Sequence, residues 1–497
     1  MQELVNQINS YVWSEHLVYL CLGAGLLFSI LTRFVQIRHF RQMIRLVASG
    51  KESDHGISSF QALAVSLSGR VGTGNIAGVA AAIGFGGPGA VFWMWVVAFF
   101  GAATAYVEST LGQIYKEELD GQYRGGPAFY IEKAMGYQWY AWFFALATIL
   151  ATGLLLPTVQ ANAISSSIEI AFGSNGSIES FLGTISYTKL FSTTFVVTVF
   201  GIIIFGGVKR IARVTQVIVP FMALTYIVIA LSIIVLNIEL LPRVIGLIMA
   251  DAFTPMAGVG AAIGWGVKRG VYSNEAGQGT GCHAASAAEV NHPAEQGLVQ
   301  AFSVYVDTLL VCSATAFMIL ITGAYNVHGS DGGFILQNLP AATDASSPAF
   351  TQIAVQSAMP TIGKPFIALA LFFFAFTTVL AYYYIAETNV AYLRRFFRIP
   401  ADMFILKLMM ICAVFYGGVR TAELAWGLGD MGVGLMAWLN IIAILILLLK
   451  GNAALKALHD YEAQLDAGVS KYSFDPEALG ISNADFWARR KNMSHSD

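Results

Sequence analysis

The chain has 497 residues, 56% of them hydrophobic and 12% charged, with a mean hydropathy of +0.64 and a formal net charge of −2. An average soluble domain carries roughly 25% charged residues, so this composition excludes a soluble enzyme and describes an integral membrane protein whose surroundings are a lipid bilayer. A near-neutral chain without a concentrated basic patch also excludes nucleic acid as a partner.

The N-terminus MQELVNQINSYVWSEH is acidic and lacks the basic region of a cleaved signal. The apolar run at about 16 to 35 is therefore a retained extra helix, long enough to span. Arg38, Arg41, Arg45 and Lys51 follow it and place that loop in the cytoplasm, which puts the N-terminus outside. Spans are expected at about 60 to 84, 89 to 115, 139 to 171, 190 to 207 and 215 to 236, with basic residues at alternate turns. A seventh, at about 245 to 268, is interrupted by Pro255 and by Gly258, Gly260, Gly264 and Gly266, before Lys268 and Arg269 and the polar run SNEAGQGTGCH. Further spans follow at about 298 to 323, 364 to 393, 403 to 419 and 426 to 449, with a short amphipathic piece from Phe350 to Met359. The whole is a single all-α domain of about 11 spans, and residues 450–497 form a cytoplasmic tail.

The second span carries the stretch SLSGRVGTGNIAGVA, crowded with glycine and small polar residues. Glycine is disfavoured in a helix by roughly 1 kcal/mol relative to alanine, so the helix is expected to break there. Backbone groups freed in hydrocarbon must be buried in protein or meet a ligand. Without the first helix, ten spans divide into two groups of five, residues 60–236 and 245–449, each opening on a glycine-broken helix and running in opposite directions. That is the inverted-repeat plan of a secondary transporter with its site between two discontinuous helices.

Free N–H groups at Thr73, Gly74 and Asn75 would begin the outer half-helix and attract a carboxylate. In the second break, carbonyls from Gly260 to Gly266, including Gly264 and Gly266, would meet an ammonium, with Trp265 as a pocket wall. Close packing through small residues is the alternative for both stretches. The spacing GxGxxxG is not that of a nucleotide loop. Arg70 requires a partner inside the membrane, and Glu108, Glu275 and Asp307 are the candidates, either as a static pair or as a gate. Cys282, His283, Glu289 and His292 fit no zinc spacing and read as surface-loop chemistry. A channel would show a continuous polar file or repeated filter loops, and an intramembrane enzyme would need a nucleophile and base within reach; neither pattern is present.

VGTGN at 71–75 resembles the unwound first-helix motif of LeuT-fold transporters. FVQIRHFRQ, SLSGRVGTGNIAGVA, GGPGAVFWMW, QYRGGPAFY, VQANA, KRGVYSNEAGQG and FAFTTVLAYYYIAETN, in that order, resemble the alanine/glycine:cation symporter family, also called sodium:alanine symporters. The resemblance implies a LeuT-like fold of 5+5 inverted repeats and sodium-coupled uptake of small neutral amino acids, mainly alanine and glycine, across a bacterial cytoplasmic membrane. It also implies Gln160 as a polar pocket contact. Sodium (Na+), a hard cation that takes several oxygens, would by resemblance be held by carbonyls of Ser68, Val71 and Phe374 with the hydroxyls of Thr377 and Thr378. The alternative for those hydroxyls is a bond to the carbonyl one turn back. A second sodium site of some LeuT-fold members would need a small residue where Arg70 stands.

Overall fold

A computed structural model describes residues 2–47, 55–180, 183–205, 207–254, 256–329 and 331–494. Lys51 and Pro255 lie outside the described residues. The chain begins with α1 (Gln2–Val12) and α2 (Glu15–Leu31), bent by 43° at their junction. The first interrupted helix follows. Its first half, α3 (Ser59–Arg70), starts on a capping box in which the Ser58 hydroxyl accepts from Gln61 N–H at 3.2 Å and the Gln61 side chain accepts from Ser58 N–H at 3.0 Å. It stops where Val71 leaves helical geometry, and the chain resumes in a π-helical turn, Gly74–Gly78, leading into α4 (Val79–Gly86). The break expected within SLSGRVGTGNIAGVA is present.

The next elements are α5 (Ala90–Ile114), the hairpin β1 (Glu117–Leu119) and β2 (Gln122–Arg124), α6 (Gln138–Phe172), α7 (Tyr187–Ile204), α8 (Gly207–Leu236) and α9 (Leu241–Phe253). Along α8, Val217, Phe221, Leu224, Val228, Leu231 and Val235 are exposed at three- and four-residue spacing. This is an apolar stripe that only lipid or a partner would solvate well.

The seventh span differs from expectation. No single interrupted helix occupies 245 to 268: α9 ends at Phe253, and α10 (Val259–Asn274) runs unbroken through Gly260, Gly264 and Gly266. The interruption comes later, in the polar run SNEAGQGTGCH. Glu275, Gly277 and Gly279 all take left-handed φ, at 57°, 86° and 79°, which no helix sustains; α11 (Gly281–Ala287) follows. Gly266 serves packing, since a Cβ there would lie 2.5 Å from the Ala90 carbonyl oxygen and 2.6 Å from Trp93 Cβ. Lys268 and Arg269, placed by the sequence after the seventh span, sit within α10, where both pair with Asp430.

The remaining helices are α12 (Pro293–Thr322), π-helical from Tyr305 to Cys312, α13 (Ala349–Ala358), α14 (Gly363–Arg394), α15 (Asp402–Val419) and α16 (Ala422–Leu449). The polar tail folds into α17 (Ala453–Asp466) and α18 (Asp485–Ser494) against the rest. Among the described residues, eight helices are long and apolar enough to cross a membrane, nine if α1 and α2 count as one. The two interrupted helices escape such a test because neither half is long. They lie where two apolar clusters meet. One contains Phe28, Ala102, Tyr272, Val379 and Ile441, the other Val71, Ile83, Tyr226, Ile319 and Leu371.

The placement of the second break predicts a contrast. Gly266→Val should overpack α10 against α5 and destabilise by about 1–3 kcal/mol, seen as a lowered melting midpoint in detergent. Gly260→Ala, where a Cβ meets nothing within 4 Å, should not lower the midpoint and should raise it slightly, since alanine favours the helix.

Candidate functional site

The two interruptions face each other. A Cβ on Gly74 would lie 3.1 Å from Ser273 Cα, and one on Gly72 would lie 2.5 Å from the Thr378 hydroxyl oxygen and 3.1 Å from Gln160 Oε1. Only glycine permits this approach of backbone to neighbouring side chains. The freed backbone of the first break is held by side chains: Gly72 N–H donates to Asn75 Oδ1 at 2.8 Å, and Thr73 donates from both N–H and hydroxyl to Gln160 Oε1 at 3.1 and 2.8 Å. Of these donors, the Thr73 N–H is one that the sequence assigns to a carboxylate, and Gln160 meets it with a carbonyl oxygen.

Asn75 also reaches across to α12, where its amide donates to Asp307 Oδ1 at 2.6 Å. The same carboxylate accepts from the Ser273 hydroxyl of α10 at 3.0 Å, and its other oxygen from Thr308 at 2.7 Å. Asp307 thereby joins both interrupted helices to the π-helical stretch of α12. The second break has its own support. Glu108 of α5 accepts from Gly279 N–H at 3.1 Å and from the Asn440 amide at 2.8 Å, and Asn440 donates to the Gly277 carbonyl at 3.0 Å. Thr280 donates to Glu275 Oε2 at 2.9 Å.

Among the described residues, groups at the junction that keep buried polar atoms without a hydrogen-bond partner include the Tyr272 hydroxyl, Asn274 Nδ2, Glu275 Oε1 and Glu108 Oε1. Such atoms cost free energy unless something meets them. They offer donors and acceptors together, the combination that a zwitterion needs.

Arg70 does not form the expected ion pair. Glu108, Glu275 and Asp307 all lie near enough for their charge to act on it, yet none is within 4 Å; the guanidinium donates instead to the Gln300 carbonyl at 3.0 Å and to the Ser303 hydroxyl. The geometric reason is that its side chain runs toward α12 beside Gly281, where a Cβ would lie 2.5 Å from Nη2. The three carboxylates meanwhile hold backbone and polar side chains at the two breaks.

Thr378 adjoins Gly72 from α14, with Thr377 next to it in the chain. Their hydroxyls donate to carbonyls one turn back, Thr377 to Phe373 and Phe374 at 2.9 and 3.0 Å and Thr378 to Phe374 at 2.9 Å. Ser68 likewise donates to the Val65 carbonyl at 2.7 Å. These bonds leave oxygen lone pairs available to a cation. Trp265, with Gly264 beside it, lies outside the break: its ring stacks on Phe85 at 4.7 Å, and the Lys268 and Arg269 charges lie over it. Below it, Arg269 pairs bidentately with Asp430 at 2.9 Å on both arms, against the Trp426 ring. Above it is a cavity of about 520 Å³ whose lining includes Asn9, Trp13, Gly264, Trp265 and Glu423. Cys282 and His283, read as surface chemistry, are fully buried.

The model of the sodium:alanine symporter family matches residues 1–475. The chain belongs to the sodium:alanine symporter family. YrbD of Bacillus subtilis is 56% identical over 493 residues, 98% of each chain. The sodium/proton-dependent alanine carrier protein of Bacillus sp. strain PS3 is 50% identical over 90% of this chain and 97% of its own. The sodium/alanine symporter AgcS of Methanococcus maripaludis is 36% identical over 89% and 94%. Among solved structures, MhsT in complex with L-phenylalanine superposes with a TM-score of 0.53 at 15% identity, covering 80% of this chain and all of that one, which gives this symporter the LeuT fold. As a family member the chain is a multi-pass membrane transporter and not an enzyme.

Reasoning from sequence missed Ser273, Asn274, Gly277, Gly279 and Asn440. The signal was available in SNEAGQGTG, a glycine-rich polar run between apolar segments like the one around Gly72, and in Asn440, a lone amide within an apolar span. Gln160→Leu should leave the Thr73 N–H and hydroxyl unpaired in the empty site and destabilise the protein by about 1–3 kcal/mol, seen as a lowered melting midpoint in detergent. Gln160→Glu, which keeps an acceptor, should retain more of the stability; thermal unfolding of both variants provides the check.

Proposed function

We propose that the protein carries small neutral amino acids, alanine and glycine, into the cell together with sodium by alternating access. The observation that carries this reading is the meeting of two interrupted helices at Gly74 and Ser273, whose backbone donors are held by exchangeable side-chain bonds. An amino-acid carboxylate would replace the oxygens of Asn75 at Gly72 and of Gln160 at Thr73, while its ammonium would face the Glu275 oxygen that has no partner. The substrate contacts at the second break are thus assigned to residues 272–275 rather than to Gly264, Trp265 and Gly266.

Sodium would be held by the carbonyls of Ser68, Val71 and Phe374 with the hydroxyls of Thr377 and Thr378. The closeness of Thr378 to Gly72 supports this. A cation there would fix the end of α3 and so shape the donors offered to the amino acid, which is the physical route to coupling. Counting α1–α2 as one span and adding the two interrupted helices gives eleven spans, read as one extra helix and two inverted five-helix repeats. The second repeat begins at the helix opening with Val259. The basic residues Arg38, Arg41 and Arg45 favour a cytoplasmic-membrane orientation with the N-terminus outside and the tail inside. Arg70 is assigned a static positive charge beside the breaks.

Purified protein in liposomes should accumulate radiolabelled alanine under an imposed sodium gradient and saturate with concentration. Equal uptake with potassium replacing sodium would overturn the coupling, and failure to saturate would indicate a pore. Thr378→Val should raise the sodium concentration for half-maximal uptake several-fold while leaving the dependence on alanine at saturating sodium nearly intact. A pocket built for a one-carbon side chain should also let D-alanine compete with L-alanine; the absence of inhibition would argue against so permissive a pocket.

A further inference from the structure

The inner ends of the two interrupted helices are tied by main chain. Ile57, just before α3, donates to the Ala287 carbonyl at 2.9 Å and accepts from Glu289 N–H at 2.8 Å. Beneath this strip lies Lys116, fully buried beyond the end of α5, whose ammonium donates to the Ala288 carbonyl at 2.9 Å. It has no carboxylate within 4 Å among the described residues. Its surroundings are aromatic, with the ring centroids of Tyr123, Phe486 and Trp487 at 4.5, 4.6 and 5.5 Å. Two of these rings come from α18, some 370 residues away in the chain.

The same short helix makes further contacts around this strip. Trp487 Nε1 donates to the Gln113 carbonyl at 2.9 Å; Arg490 donates to the Val290 carbonyl at 2.9 Å and pairs with Glu289 at 2.7 Å; Asp485 pairs with Lys133 at 2.9 Å. Farther along, α17 is anchored by Asp460 to His292 at 3.0 Å and by Glu462 to Arg38 and His39 at 2.6 and 2.8 Å. The tail thus crosses the inner face and covers the point where α3 and α11 join.

We propose that Lys116 and the segment 485–490 form an inner latch that closes the α3–α11 junction and must part in each transport cycle, with Lys116 as the positioning residue. The proposal rests on the alternating-access reading above, because inward release requires the Ile57–Ala288 strip to open. Lys116 holds Ala288 only while its own ammonium is boxed by the tail rings. Burial pushes the amine down to about 7, so closing the latch loosens the lysine's hold on its proton, and parting restores it. The device is therefore closed by packing and poised to open.

The test uses the full chain with Cys412, the exposed cysteine, replaced by serine. In this background Glu289→Cys and Arg490→Cys are joined by a bifunctional methanethiosulfonate linker, with linkage verified by mass. Before linkage the double variant should take up alanine under a sodium gradient; linkage should reduce uptake at least 10-fold, and dithiothreitol should restore it. Undiminished uptake at full linkage would overturn the latch. Failure of the parent protein to take up alanine at all would overturn the proposed function instead. As a second readout, Lys116→Met and Trp487→Ala should each speed maleimide modification of buried Cys282 from the tail side several-fold, whereas Lys116→Arg should keep the parent rate. Equal rates in all variants would also overturn the proposal.

Discussion

Main-chain N–H and C=O groups released inside an apolar protein must find partners, and the rest of this structure follows from how that demand is met twice at one place. Gln160 and Asn75 hold the first interruption; Glu108 and Asn440 hold the second. Each of these side chains comes from outside the stretch it supports or from its far end, so neither interruption is stable alone. The junction is consequently a product of helix packing, and movement of α5, α6 or α16 relative to the broken helices changes the bonding of their backbone.

The charges at the centre fit the same logic. A lone arginine in a membrane interior is expensive, and the expected remedy is a direct carboxylate partner. Here the carboxylates hold backbone and polar side chains at the breaks, and Arg70 is anchored by the Gln300 carbonyl and Ser303 while their charge acts from farther off. Its positive charge balances the acids without occupying their hydrogen-bonding capacity. Removing one partner of such a network leaves the others buried and uncompensated, so its members act as a unit.

The two faces of the junction are closed by different means. On the side of α1, Arg269 and Asp430 form a bidentate pair under a roomy cavity with Trp265 and Trp426 about them. On the side of the tail, closure uses backbone bonds, a buried lysine and aromatic rings. In an alternating-access carrier these two closures would exchange, one strong and electrostatic, the other spread over many weak contacts.

Composition alone determined that this is a membrane protein, and hydropathy located each of the eight long apolar helices, because hydrocarbon thickness fixes how many apolar residues a helix must show. The first interruption was legible in SLSGRVGTGNIAGVA, since several weak helix formers in one span have few other readings. The second was not, because glycine has two uses. Gly264 and Gly266 resemble a break in sequence, yet Gly266 lets α10 press against Ala90, whereas Gly277 and Gly279 supply left-handed turns inside what reads as a loop. Only the packing of neighbouring helices distinguishes a glycine needed for contact from one needed for conformation. The same holds for Arg70 and Asp307: the sequence shows that buried charges need partners, but which partner each one meets is decided by side-chain direction and by what lies opposite once the helices are assembled.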